Sequence, residues 1–117
     1  MFSPCTTSIR RTTTLGYPQD APYDPACSYP ELVGVSTVGT DVNDVYEQVR
    51  NVLLDLGLDC DRKGTAAWSP FSDFITPGNT VVIKPNLVKN VSSDLQECVT
   101  THPSVVRPLI DYAWKAL

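Results

Sequence analysis

Pro77-Gly78-Asn79-Thr80-Val81-Val82-Ile83-Lys84-Pro85-Asn86-Leu87-Val88 is the stretch on which the fold turns. Its three consecutive β-branched residues, Val81, Val82 and Ile83, lie between a Pro-Gly-Asn turn and a polar Lys-Pro-Asn exit. A short apolar run with such boundaries reads as a strand buried inside a sheet. Sheets of that kind collect ligands beyond the carboxyl ends of their strands. Downstream, Thr101-His102-Pro103 opens an amphipathic helix. Strand, polar turn and helix start form the one constellation in the chain that looks like a site.

Upstream, Val42, Val45, Tyr46, Val49, Val52, Leu53 and Leu56 recur at steps of three and four, which places them on one helical face. Thr40 or Asp41 can cap this helix, Asp44 complements its dipole, and Gly57 suits a left-handed stop. Before it, Leu32, Val33, Val35 and Val38, with Gly34 among them, read as a first strand. Residues 1–31 hold half of the prolines and a Thr12-Thr13-Thr14 run, and are expected to be an irregular or mobile lead-in.

Between the two strands, residues 58–79 form a long connection in which Pro70, Phe71, Phe74 and Ile75 suggest one apolar turn of helix, with Trp68 packing on it. The second helix has the stripe Val106, Leu109, Ile110, Ala113 and Leu117. Pro103 fits its first turn, whereas Pro108 removes a hydrogen bond to the carbonyl of Ser104, so a kink is expected there.

Strand, helix, strand, helix is the order of an α/β fold, a partial parallel sheet wound by right-handed crossovers. Such strands are normally covered on both faces. The chain offers two helices and stops on an apolar Trp114, Ala116 and Leu117. Residues 32–117 are therefore expected to be the amino-terminal part of a larger α/β domain, or a chain that completes its sheet with a partner.

Composition narrows the function. The 117 residues are 42% hydrophobic and 19% charged, as in ordinary globular proteins. A net charge of -4, with only Arg10-Arg11 and Arg62-Lys63 as adjacent basic pairs, argues against nucleic acid as a partner. No apolar run is long enough to span a bilayer, and the first thirty residues lack a secretory core, so no membrane partner and a cytoplasmic setting are expected. Cys5, Cys27, Cys60 and Cys98 are scattered and read as free thiols.

The candidate ligand-binding residues are Lys84, Asn86, Thr101 and His102, and Lys84 and His102 are also the candidate catalytic pair. Lys84 at a strand end can hold an anion or, if desolvated, act as a base or Schiff-base amine; it can equally reach solvent. Asn86 can serve a ligand or bond its own backbone in a turn. His102 stands where free backbone amides attract anions, and where the helix dipole disfavours an imidazolium. That favours a neutral donor, acceptor or metal ligand, although Thr101 or His102 can also simply cap the helix. Asp94, Glu97, Cys98 and His102 match no structural zinc spacing, so no metal is expected. No glycine-rich phosphate loop, nucleophile elbow or four-cysteine cluster names a cofactor, which stays unknown.

The motif from Pro77 to Val88, followed by Thr101-His102-Pro103-Ser104-Val105-Val106-Arg107, resembles the opening of the domain of unknown function 362 family. The likeness extends to Val45-Tyr46-Glu47-Gln48-Val49-Arg50 and Leu54-Asp55-Leu56-Gly57-Leu58, and covers residues 32–117. Gly64-Thr65-Ala66-Ala67-Trp68-Ser69-Pro70 is similar to members found among bacterial polysaccharide biosynthesis genes. The resemblance implies an α/β fold that continues into a further strand and a glycine- and aspartate-rich turn, and so an amino-terminal part of it here. Some members carry a ferredoxin-like four-cysteine segment, which this sequence lacks, and Pro108 departs from the family's helix. No single reaction belongs to the family. The functional expectation is an enzyme or binding domain for an anionic small molecule; the alternative is a non-catalytic interaction module that docks on another chain. A redox or metal protein using Cys98 and His102 is the least favoured reading.

Overall fold

The structure, a computed structural model, describes residues 6–87 and 100–117. Among these, the regular elements are helix α1 (Asp44–Asp55), helix α2 (Pro103–Ala116), and 3-10 turns at Pro30–Leu32 and Cys60–Arg62. The two α-helices pack against each other, and α2 also meets the first 3-10 turn.

Helix α1 follows from its periodicity, but the cap is Asn43 rather than Thr40 or Asp41. The Tyr46 amide donates to Asn43 Oδ1 at 3.0 Å, while Asn43 Nδ2 donates to the carbonyls of Tyr23 and Asp24 at 2.9 and 3.0 Å. The same side chain therefore starts the helix and ties the preceding segment to it. Beyond Leu56, Gly57 takes φ +71°, the left-handed stop that glycine adopts without a Cβ penalty.

In α2 the buried positions are Ser104, Pro108, Asp111, Tyr112, Ala113 and Ala116. Of the expected stripe only Ala113 is in that set, and Ile110 and Trp114 are 48% and 69% exposed. The helix is rotated from the orientation hydrophobicity favours because Tyr46 binds Asp111, Glu31 binds the Tyr112 hydroxyl, and Arg107 binds the Pro22 carbonyl and Asp24. The helix runs through Pro108 as one element, with that proline packed inside.

Trp68, Tyr46, Tyr112, Leu32, Leu53 and Leu58 form the core, with Phe71 packed on its margin. Trp68 meets Tyr112 edge to face at 5.3 Å and donates Nε1 to the Leu58 carbonyl at 2.9 Å, so its polar atom is satisfied where the ring is buried. Burying each such side chain contributes about 1.5–3 kcal/mol.

No strand or sheet occurs among the described residues, which corrects the α/β expectation and the partial parallel sheet with it. At the supposed first strand, Pro30 opens a 3-10 turn, Val35 and Ser36 donate back to the Leu32 carbonyl at 2.9 and 3.1 Å, and Gly34 takes φ +80°. The second fails differently. Val81, Val82 and Ile83 run without helix, turn or bend, but no described segment lies beside them to pair their amides and carbonyls. Backbone pairing, which a strand cannot supply alone, is what the apolar run lacks. An isolated antiparallel bridge joins Leu87 to Thr100.

Residues 6–29 carry no helix or strand, yet they are fastened to both helices. Ser8 and Arg10 bind Asp55; Thr13 and Thr14 bind Asp44; and Arg107 binds the Pro22 carbonyl and Asp24.

Candidate functional site

The polar turn and the helix start do meet. Thr101 donates its amide to the Asn86 carbonyl at 2.8 Å, and the Asn86 amide donates to Thr101 Oγ1 at 3.1 Å. Lys84, two residues earlier, is exposed and forms no ion pair with a described residue.

His102 caps α2 with its ring. Nδ1 accepts from the Ser104 amide at 3.3 Å and lies 2.8 Å from Ser104 Oγ, while the imidazole stacks on Tyr17 at 4.2 Å and meets the edge of Tyr23 at 5.5 Å. An Nδ1 that accepts leaves the proton of the neutral ring on Nε2. The first-turn donors are largely engaged: Pro103 has none, Ser104 is taken by the imidazole, and the Val105 amide donates to the His102 carbonyl at 3.0 Å. A histidine and a serine this close would suit nucleophilic chemistry. Ser104 is fully buried, however, out of reach of a substrate.

Beside His102 a groove of about 500 Å³ opens between segment 10–17 and the helices. Arg10, Arg11 and Tyr17 line one side, and Val45, Val49 and Val52 of α1 line the other. Tyr17 is thus at once a groove wall and the surface on which His102 rests. The size lies within the range of small-molecule sites, about 300–1,000 Å³. The two arginines differ in availability. Arg10 is spent on Asp55, with Nε and Nη2 each 2.5 Å from the carboxylate. Arg11 is exposed and pairs with no carboxylate among the described residues.

Two carboxylates hold the groove's wall in place. Asp55 is kept below the usual carboxylate range by the bonds from Arg10 and Ser8, and Asp44 by the backbone and hydroxyl bonds from Thr13 and the amide of Thr14.

No protein-family model, curated protein or solved structure matches this chain. No described helix is long and apolar enough to cross a membrane. Among the described residues no three His, Cys, Asp or Glu side chains are grouped to hold a metal; Asp94, Glu97 and Cys98 lie outside them. Cys27 and Cys60 are free and exposed, and Cys5 and Cys98 also fall outside the described residues.

Two buried ionic clusters escaped the sequence reading. Glu31, 1% exposed, accepts from Arg50 Nε at 2.6 Å and from the Tyr112 hydroxyl at 2.9 Å, and the Arg50 guanidinium lies 4.4 Å from the centre of the Tyr29 ring. Asp111 accepts from the Tyr46 hydroxyl at 2.7 Å and from Arg107 Nε at 3.0 Å. Burial, then the neighbouring carboxylate, pushes the hydroxyls of Tyr112 and Tyr46 above the ordinary phenol range. Burial opposes the charge on Arg50, but Glu31 more than offsets it. The Arg107–Asp111 spacing of four was a legible helix pair. Glu31 and Arg50, distant in sequence, left no such signal.

Proposed function

We propose that the chain binds a small molecule made of an apolar body and one anionic group, in the groove between segment 10–17 and α1. The observation that carries this reading is an exposed Arg11, without a carboxylate partner among the described residues, on the wall of a valine-lined groove. The valines would take the apolar body by removing it from water, and the guanidinium would take a carboxylate or phosphate through paired N–H donors. His102 enters as the support for Tyr17, while the exposed Lys84 adds positive charge near the Asn86–Thr101 junction. No reaction is assigned. A cytoplasmic setting, the likeness to the domain of unknown function 362 family and its polysaccharide biosynthesis context belong to the same proposal.

Calorimetric titration with octanoate and octyl phosphate, and with octanol as the uncharged control, tests it. Both anions should bind, octanol should bind more weakly, and Arg11→Ala should weaken the anions about tenfold, the loss of one charge-assisted contact. Because Arg11 has no carboxylate partner among the described residues, the melting temperature should not move. Equal binding of octanol, or an Arg11→Ala variant that binds like the parent, would overturn the reading.

A further inference from the structure

Residues 80–84 form a second uncommitted feature among the described residues. Neither the amides nor the carbonyls of Thr80 to Lys84 bond to the backbone of any described residue. The run nevertheless has the character of a strand. It is free of turn and bend, Pro85 holds Lys84 toward extended backbone, and Val82 is 84% exposed while Val81 before it is half-buried and Ile83 after it is 36% exposed. It also continues directly into Asn86 and Leu87, which already pair with Thr101 and Thr100. Behind it lies an apolar trough of about 280 Å³ walled by Phe71, Ile75, Leu109 and Ala113. At its exit stands the exposed Lys84, without a carboxylate partner among the described residues.

We infer that this edge takes a strand from another polypeptide, one with apolar side chains at alternate positions and an acidic residue opposite Lys84. Three requirements define that occupant. Unpaired backbone groups ask for backbone partners, which only an extended peptide supplies along a whole run. The trough asks for apolar side chains every second residue. The free ammonium asks for a carboxylate. The site is separate from the arginine groove and stands or falls independently of it.

The test uses the full chain and a dye-labelled, end-capped peptide of alternating valine and threonine with one glutamate, read by fluorescence anisotropy. Saturable binding is expected. Val82→Pro, which removes one donor at an exposed position, should weaken it at least tenfold with the circular dichroism of the helices unchanged. Lys84→Glu should weaken it and a lysine-for-glutamate peptide should restore it. Absence of saturable binding, or binding that survives Val82→Pro, would overturn the inference. So would a concentration-dependent dimer in sedimentation that Val82→Pro abolishes, since the edge would then be filled by a second copy.

Discussion

Glu31 and Val82 occupy each other's expected places. The carboxylate is 1% exposed inside the protein, and the valine is 84% exposed on its surface. The difference is the supply of partners. Glu31 has a guanidinium and a phenol within hydrogen-bond reach, so its desolvation is compensated. Val82 sits on a backbone whose amides and carbonyls find none among the described residues, and burying it would bury them too. Hydrophobicity proposes which residues go inside; polar satisfaction decides.

The contrast can be broken most sharply at its buried end. Glu31→Ala strands Arg50 and the Tyr112 hydroxyl, and should cost about 3–5 kcal/mol of unfolding free energy in urea titrations. Alkali attacks the same clusters more gently. Tyr46 and Tyr112 are raised in the folded state, so their contribution is intact below the unfolded phenol value near 10 and is lost above it. Stability should fall by about 1.4 kcal/mol per tyrosine for each pH unit beyond about 10, measured by denaturant midpoints across that range.

Asn43→Ala comes next, at about 1–2 kcal/mol, because it removes both the helix cap and the ties to Tyr23 and Asp24. Acid should act on the ties between the leading segment and α1. Asp44 and Asp55 are lowered, so what they contribute is present above the ordinary carboxylate range and disappears as pH falls through their folded values. Amide resonances of Thr13 and Thr14 should shift with those titrations. Smallest of all, Val82→Thr should change stability by less than about 0.5 kcal/mol, the size of an ordinary surface substitution.

These residues also explain what could be read from the sequence. Helix α1 was legible because Val45, Tyr46 and Leu53 of its apolar spacing are buried, although Val42 lies before the helix and is exposed, and α2's start at Pro103 was marked by a proline that suits the first turn. Of the candidate ligand-binding residues, Asn86 and Thr101 are joined by hydrogen bonds. The expected strands form no sheet among the described residues because a β-branched run encodes a preference, whereas a sheet requires a neighbour. The rotation of α2 and the burial of Glu31 depend on contacts between residues far apart in sequence, such as Tyr112 with Glu31, which no local pattern contains. Arg11 was visible only as half of a basic pair. Its availability emerged once Asp55 was seen to claim Arg10.

Native-state hydrogen exchange on the full chain tests the partner-controlled burial most directly. Amides of Val81, Val82, Ile83 and Lys84 should exchange at nearly the rate of an unfolded peptide, while those in the middle of α1 and α2 are protected close to the global unfolding limit. Protection of residues 81–84 equal to that of the helices, in a chain that sediments as a monomer, would mean that a sheet covers the run and would contradict the account.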